Sequence, residues 1–581
     1  GFLIDNIDFS GIAMPAALFD LERAEVLRGP QGTVYGANAL AGLISLRSQA
    51  PREEFGLSGE LEAGNYGTFG AGLMVNSPIG DSGTAVRLAA HHFESDGFRH
   101  NAFLDRDDTN GFDENLLRLR VASHLGDSLK LDLTALYADS QNGYDAWSID
   151  NTRVTESDRP GSDTQLTRAL ALRLEYTGFE ALRLLSISTW ASADMGFSFD
   201  GDWGNDAFWG EWAPYDFYED IHRDRENLSQ EFRLTSTGDG PWKWVGGAYA
   251  MRLTEDYDFL DMYNGDVFRE LGSRYRALTL AAYGQVDRAL RDNITVSMGL
   301  RLERRDASYR DSNNLAEDPV DTMAGGHLSL DWQFAPRQSA YALLNRGYKA
   351  GGINTGISLP PMLRTFDPES LWNAEVGHRY QSAGHRFSAR TSLFYMRRFD
   401  QQVSGSWQAD PEDPLTFILL TDNAARGENL GLESQLDWQA LPSFRLSGNV
   451  ALLRARFLDY TQAGGELDGR DQPHAPHYQL GLTAEWRRQG FFARADWQAV
   501  DGFYFSASHN ERASAHQLMN LRVGYDARNW SASLWARNLF NERYAVHGFY
   551  FANEPPDWAP KRYVQNGDPL QVGVRVTFTP W

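Results

Sequence analysis

The chain of 581 residues contains no cysteine. That excludes a disulfide framework, a thiolate metal site and a cysteine nucleophile together, and it suits a chain that crosses an oxidising compartment where stray thiols would mispair. Also missing is any apolar run near the ~18 residues that mark a spanning helix; the densest stretch, Leu182 to Ala191, is broken by Arg183 and by serines. Basic residues are scarce, 54 Lys+Arg against 78 Asp+Glu, for a net charge of −24. Phosphate recognition needs basic surface, so no nucleic-acid partner is expected. GxSxG, HExxH and P-loop motifs are lacking as well, and the chain is not expected to be an enzyme. No signal peptide opens it; it starts at Gly1 in mid-pattern and reads as a mature or trimmed chain.

Rings and glycines are abundant instead. Aromatics make up 13% and glycine 54 positions, while mean hydropathy is −0.47, a combination foreign to disordered chains. Alternation with period two dominates after about residue 55. Leu129, Leu131, Leu133, Ala135 and Tyr137 alternate with Lys130, Asp132 and Thr134; Ile294, Val296, Met298, Leu300 and Leu302 alternate with polar residues that include Arg301 and Glu303. The same grammar recurs at Leu328/Leu330/Trp332, Phe444/Leu446/Val450/Leu452, Tyr478/Leu480/Leu482/Trp486 and Val572/Val574/Val576/Phe578.

A soluble sandwich alternates too, but three features favour a membrane barrel. The polar set includes full charges such as Arg575, as a hydrated lumen tolerates. Trp332, Trp438, Trp486 and Trp497 cluster at strand ends, where an aromatic girdle lies. Short turns, such as Leu125-Gly126-Asp127-Ser128 and Ala440-Leu441-Pro442-Ser443, alternate with long polar loops near residues 94–115 and 197–226. The expected fold is an all-β membrane protein, a large antiparallel transmembrane β-barrel over residues 53–581. At ~24 residues per strand with its share of loop it has about 22 strands, and so wide a lumen leaks unless plugged. Residues 1–52 read as a separate compact unit, with Gly29, Gly32, Gly36 and Gly42 between apolar runs too short for barrel strands.

The run Glu22 to Gly42 closely resembles the C-terminal part of the plug of TonB-dependent outer-membrane receptors. The motif residues are Glu25, Arg28, Gly29, Pro30, Gly32, Tyr35, Gly36, Asn38 and Gly42. Scattered matches extend the resemblance over the chain: Gln230-Glu231-Phe232-Arg233-Leu234, Arg346-Gly347-Tyr348-Lys349-Ala350-Gly351-Gly352, Trp372-Asn373-Ala374-Glu375, Gly431-Leu432-Glu433 and Ala536-Arg537-Asn538-Leu539-Phe540. The resemblance implies a Gram-negative outer-membrane location, an incomplete plug lacking its N-terminal TonB box, and active uptake of a scarce nutrient. A ferric siderophore or other iron complex leads, with haem, cobalamin or an oligosaccharide as alternatives, and a non-transporting receptor or porin as rivals. Implied partners are the TonB–ExbB–ExbD complex, outer-membrane lipid and lipopolysaccharide, the barrel-assembly machinery and a small nutrient ligand. It also implies that plug Arg28 sits opposite barrel Glu375 or Glu433. Phe578, in parity with Val576, is the expected assembly aromatic, with Trp581 as the alternative.

Among other candidates, residues 197–226 carry Trp203, Trp209, Trp212, Tyr215 and Tyr218 among many carboxylates. They are either a ligand-contact loop, rings stacking on a flat ligand, or a hairpin packed on its neighbours. Asp105 to Asn115 is rich in oxygens but has Asn110 where the EF-hand register wants glycine. His91 and His92 are adjacent on a strand and face opposite sides. His474 and His477 read as structural, and no metal or cofactor is expected.

Overall fold

Alternation puts successive side chains on opposite faces of a strand. In a closed wall those faces are the lipid side and the lumen. The computed structural model describes residues 1–12, 18–33, 36–355, 359–408, 417–423, 426–462 and 465–579. Among these residues 22 antiparallel strands close into a barrel, from Gly56–Gly64 to Gln571–Phe578, and the last strand pairs with the first. The two-residue Ala316–Glu317 only extends the edge of Ile294–Asp311. Along Ile294–Asp311, Met298, Leu300 and Leu302 are exposed outward while Arg301 and Glu303 between them are buried inward. Trp332, Trp438, Trp486, Trp530 and Phe578 are exposed near the short-turn ends of their strands, forming the girdle such barrels carry. Phe578 pairs with Trp530 on one side and Gly59 on the other, on the seam that closes the barrel; Trp581 lies outside the described residues.

One expectation is corrected. Residues 197–226 are not a single long loop: strands Leu182–Asp200 and Phe217–Ser236 take up 197–200 and 217–226 and leave 201–216 as connection. Their ladder runs on to Asp200 opposite Tyr218. The next strands have 22 and 26 residues, against the roughly 9–11 a bilayer needs. Beyond the hydrocarbon both faces meet water, so the pairing continues while the apolar alternation that announces a strand stops.

Inside the barrel, residues 2–48 form a four-stranded sheet in the order Ile7–Asp8, Phe2–Ile4, Gly42–Ser48, Leu21–Arg28. Phe2–Ile4 runs parallel to Gly42–Ser48, and Leu21–Arg28 runs antiparallel to it. Ile4, Ile7, Phe9, Ile12 and Leu46 pack against inward Leu116, Leu136, Ala169 and Ala191 of the wall. Small wall residues let the sheet approach closely.

Candidate functional site

The luminal sheet is held from two sides. On the first, Asp20 accepts from Arg87 Nε at 2.9 Å and lies 3.6 Å from Arg118, which also donates to the Phe19 carbonyl at 2.8 Å. Arg120 donates to the Ser48 carbonyl at 2.7 Å, and Asp5 accepts from the Ser48 amide and hydroxyl at 3.0 and 2.6 Å. All these side chains are buried, so the charges are both desolvated and paired. Asn227 and Arg225 add donors to the carbonyls of Asp8 and Ser10, at 3.0 and 3.2 Å.

On the second side the glycine-rich run meets the strand Gln338–Lys349. The Pro30 carbonyl accepts from Asn345 at 2.8 Å, and Thr33 meets His327 at 3.0 Å. Gly36 has φ of +74°, and a Cβ there would lie 2.6 Å from the Glu303 carboxylate, so this position needs glycine twice over. Glu303 is buried against Arg301 at 2.8 Å and accepts from Tyr348 at 3.1 Å. A Cβ on Gly347 would meet Pro30 at 2.7 Å, which explains a glycine in that barrel strand. Gly29 and Gly32 flank Pro30 at this contact. Gly42 opens its strand and accepts from the Gly1 amino group at 3.0 Å. Glu25 pairs with Arg23 at 3.2 Å on the exposed side of the sheet. Tyr35 and the side chain of Asn38 lie outside what is described. Arg28 donates to Glu433, whereas Glu375 accepts from the Tyr341 hydroxyl. A cavity of about 190 Å³ beside this pair is lined by Tyr341, Arg379 and Arg390 among others.

At the long-loop end, rings tie the connections together. Trp203 and Trp209 are each only 7% exposed. Trp203 stacks on Trp147 at 5.6 Å, and the Trp209 indole donates to Asp202 at 2.8 Å. Tyr215 packs on Trp558 and donates to Asn553 at 3.1 Å; Tyr218 lies under the Arg159 guanidinium at 3.7 Å. Of the five rings singled out, Trp212 is the exposed one.

The hairpin Ala545–Phe551 with Lys561–Asn566 reaches Trp147 through His547 and Phe549, at 5.8 and 4.7 Å. Four barrel strands separate its root from Leu129–Tyr144, the strand that leads into the Trp147 connection, so the hairpin arches over part of the mouth. Beside it, His547 stacks on His474 at 5.9 Å, which packs on Phe503 at 5.1 Å. Tyr504 has Arg470 at 4.3 Å and Arg512 at 4.6 Å from its ring. His477 clasps Asp471 and Asp501 at 3.0 and 3.5 Å. Burial lowers the His547 and His509 imidazoles below the ordinary 6.5, so both are neutral at pH 7 and can stack or accept. Burial likewise lowers Arg470. This grouping joins three connections far apart in sequence and was not singled out from the sequence. The buried arginines were missed too, although Arg118 and Arg120 stand at the inward parity between Leu117, Leu119 and Val121, a pattern that could have flagged them. His91 faces inward near Glu60 at 3.4 Å, and His92 faces outward beside Asn115 at 2.9 Å, so the two share no site.

The pesticin receptor of Yersinia pestis is 23% identical over 560 residues, covering 92% of this chain and 78% of that protein. The crystal structure of the ferric yersiniabactin uptake receptor FyuA from Yersinia pestis superposes with a TM-score of 0.84 at 20% identity, over 97% of this chain and 86% of that one. The siderophore receptor PiuA from Acinetobacter baumannii gives 0.82 at 14%, over 100% and 89%. With the TonB-dependent receptor-like β-barrel model matching residues 60–539, the chain belongs to the TonB-dependent receptors, ligand-binding barrels of the Gram-negative outer membrane.

Proposed function

We propose that the protein imports the iron complex of a siderophore across the outer membrane, binding it at the mouth and admitting it when the luminal sheet is displaced. The observation that carries this reading is a lumen occupied by a sheet held from both sides, beneath a mouth of rings and cations. An open pore has no use for either. Siderophore chelates present aromatic or carboxylate donors around iron, and Tyr504 between Arg470 and Arg512, beside His474 and His547, suits a flat and anionic face. The relatives named as pesticin, yersiniabactin and siderophore receptors support the same class. In the aromatic loop, Trp203, Trp209, Tyr215 and Tyr218 hold shape, and Trp212 is the ring left to meet a ligand.

In this reading residues 1–52 act as plug and 53–581 as barrel. Energy comes from TonB with ExbB and ExbD, the assembly machinery reads Phe578, and lipopolysaccharide surrounds the outer rim. Binding and passage involve no chemical conversion of the cargo. The test is tryptophan-fluorescence titration of the purified receptor with phenolate, catecholate and citrate chelates of iron, paired with growth of a deletion strain under iron limitation. Quenching by one chelate class, weakened at least tenfold in Tyr504→Ala and Arg512→Ala, is expected. No quenching by any chelate together with parental growth of the deletion strain would overturn the reading.

A further inference from the structure

The strands Leu182–Asp200 and Phe217–Ser236 stay paired beyond the hydrocarbon, and their outward faces there carry a group that uptake does not use. Leu228 is exposed toward lipid, so Glu226, Asp224 and His222, at successive steps of two before it, point outward as well. Register sets Trp190 opposite Leu228 and Asp194 directly opposite Asp224. The Trp190 indole donates to Glu226 at 2.7 Å and marks where the aromatic belt meets polar surface. Asp224 and His222 are the next steps toward the exterior, and with Asp194 they form an exposed trio.

Two carboxylates placed directly opposite each other repel, and nearby outward acids are given partners. Glu226 has the Trp190 indole; Asp256, on the far side of Asp224 in the same row, is bound by Arg274 at 2.9 Å. Among the described residues Asp194 and Asp224 are paired with no lysine or arginine. Each faces the His222 Nε2 instead, at 3.6 and 3.5 Å. Those separations are too long for good hydrogen bonds, which close to 2.9 Å between His100 and Asp107 and to 3.0 Å between His477 and Asp471. They match a tetrahedral site, where bonds of about 2.1 Å to imidazole and carboxylate put neighbouring ligand atoms about 3.4 Å apart. All three ligand atoms lie within 4.8 Å of one another. Asp258 stands opposite His222 but leans away over Gly272, where a Cβ would lie 3.1 Å from its carboxylate, so the fourth corner is left to water. One imidazole with two carboxylates suits a borderline cation, whereas Ca²⁺ and Mg²⁺ take about six or more oxygens.

We propose that Asp194, His222 and Asp224 form a zinc site on the outer rim of the barrel, bound through His222 Nε2 and one oxygen of each carboxylate, with water at the fourth corner. The ion offsets the repulsion between the facing carboxylates and ties the two strands together where they leave the bilayer. Its ligands stand on a continuous ladder and not on a loop, so their spacing is set in advance. Nothing in either segment announces the trio, which register alone assembles. The site lies outside the lumen and goes beyond the uptake reading, and zinc retention is measured without any iron chelate. The experiment is equilibrium dialysis of the purified full chain against Zn²⁺, with Ca²⁺ in tenfold excess as competitor and with Co²⁺ absorption as the readout of geometry. Variants are His222→Gln, Asp194→Asn and, as a control at another outward imidazole, His92→Gln. Heat-modifiable gel mobility checks that each barrel is folded. The wild type should hold one Zn²⁺ that Ca²⁺ does not displace, and Co²⁺ should give the intense visible bands of a tetrahedral site. Outer-shell changes alone weaken metal sites about tenfold or more, so His222→Gln and Asp194→Asn should each weaken this ion at least tenfold, and His92→Gln should leave it unchanged. Equal Zn²⁺ binding by the wild type and folded His222→Gln overturns the site, as does an equal loss in His92→Gln. Displacement by Ca²⁺ overturns the assignment to zinc, and pale octahedral Co²⁺ bands overturn the tetrahedral geometry.

Discussion

The luminal sheet meets one wall through hydrocarbon and desolvated charge and the other through a polar, glycine-smoothed surface. Toward the strands from Thr84–Ser95 to Phe217–Ser236, Phe9 and Ile7 are fully buried and Asp20 sits between Arg87 and Arg118. Toward Ile294–Asp311, Val320–Ala335, Gln338–Lys349 and Arg426–Leu441, contact is made by single hydrogen bonds, from Asn345 to the Pro30 carbonyl and between Thr33 and His327, by the close passage of Gly36, and by the half-exposed pair Arg28–Glu433. Burial decides the difference. A charge pair excluded from water is expensive to break singly, while one reached by water is worth little. The sheet is therefore anchored on one side and merely guided on the other, and in the proposed uptake cycle its displacement begins at the guided side.

Three substitutions would break that asymmetry if it is wrong. Asp20→Ala leaves Arg87 and Arg118 buried without their carboxylate, and should release the sheet by about 4 kcal/mol. Hydrogen exchange of Leu21–Arg28 and Gly42–Ser48 reads this directly, and barrel amides should stay protected. Phe9→Ala empties a fully buried ring site and should cost about 3 kcal/mol, seen in the same amides. Gly36→Ala forces an unfavourable positive φ and pushes on the Glu303 carboxylate, for about 2 kcal/mol. Its exchange signature should be confined to residues 29–40. If Gly36→Ala released the whole sheet as Asp20→Ala does, the guided wall would be an anchor after all.

Much of this architecture is legible in the sequence, for a physical reason. Where one face meets lipid, the outward residues must be apolar, so Ile294 to Leu302 announce a strand, its parity and the inward place of Arg301 and Glu303. The glycine-rich run is equally readable, since tight approach to a wall leaves only glycine at Gly36. Outside the bilayer that constraint ends, and strands such as Phe217–Ser236 pass for loop. Contacts between loops are illegible for another reason. Asn566 reaches the Asn151 carbonyl at 3.0 Å across 415 residues, and nothing in either segment names the other. Arg28 was directed to two glutamates by family resemblance alone. Periodicity could not choose between Glu375 and Glu433, since both stand at inward positions of their strands. The choice depends on Tyr341, whose hydroxyl already occupies Glu375.

That pair supplies the finest test of the asymmetry. The Arg28 and Glu433 side chains are 50% and 26% exposed, and the adjoining cavity brings Arg379 and Arg390 near the same carboxylate. Removing Arg28 thus leaves Glu433 hydrated and still among cations, so Arg28→Ala should cost under about 1 kcal/mol. Exchange should quicken slightly at the Arg28 end of Leu21–Arg28 and not at Leu21, whose end is held by Asp20. Salt gives an independent handle. Raising ionic strength from about 0.05 to about 0.5 M shortens the screening length severalfold, and should mimic Arg28→Ala in the wild type while leaving the Asp20 end unmoved. A salt response at the Asp20 end would mean that water reaches the clamp, and the contrast between the two walls would then have to rest on shape rather than on desolvated charge.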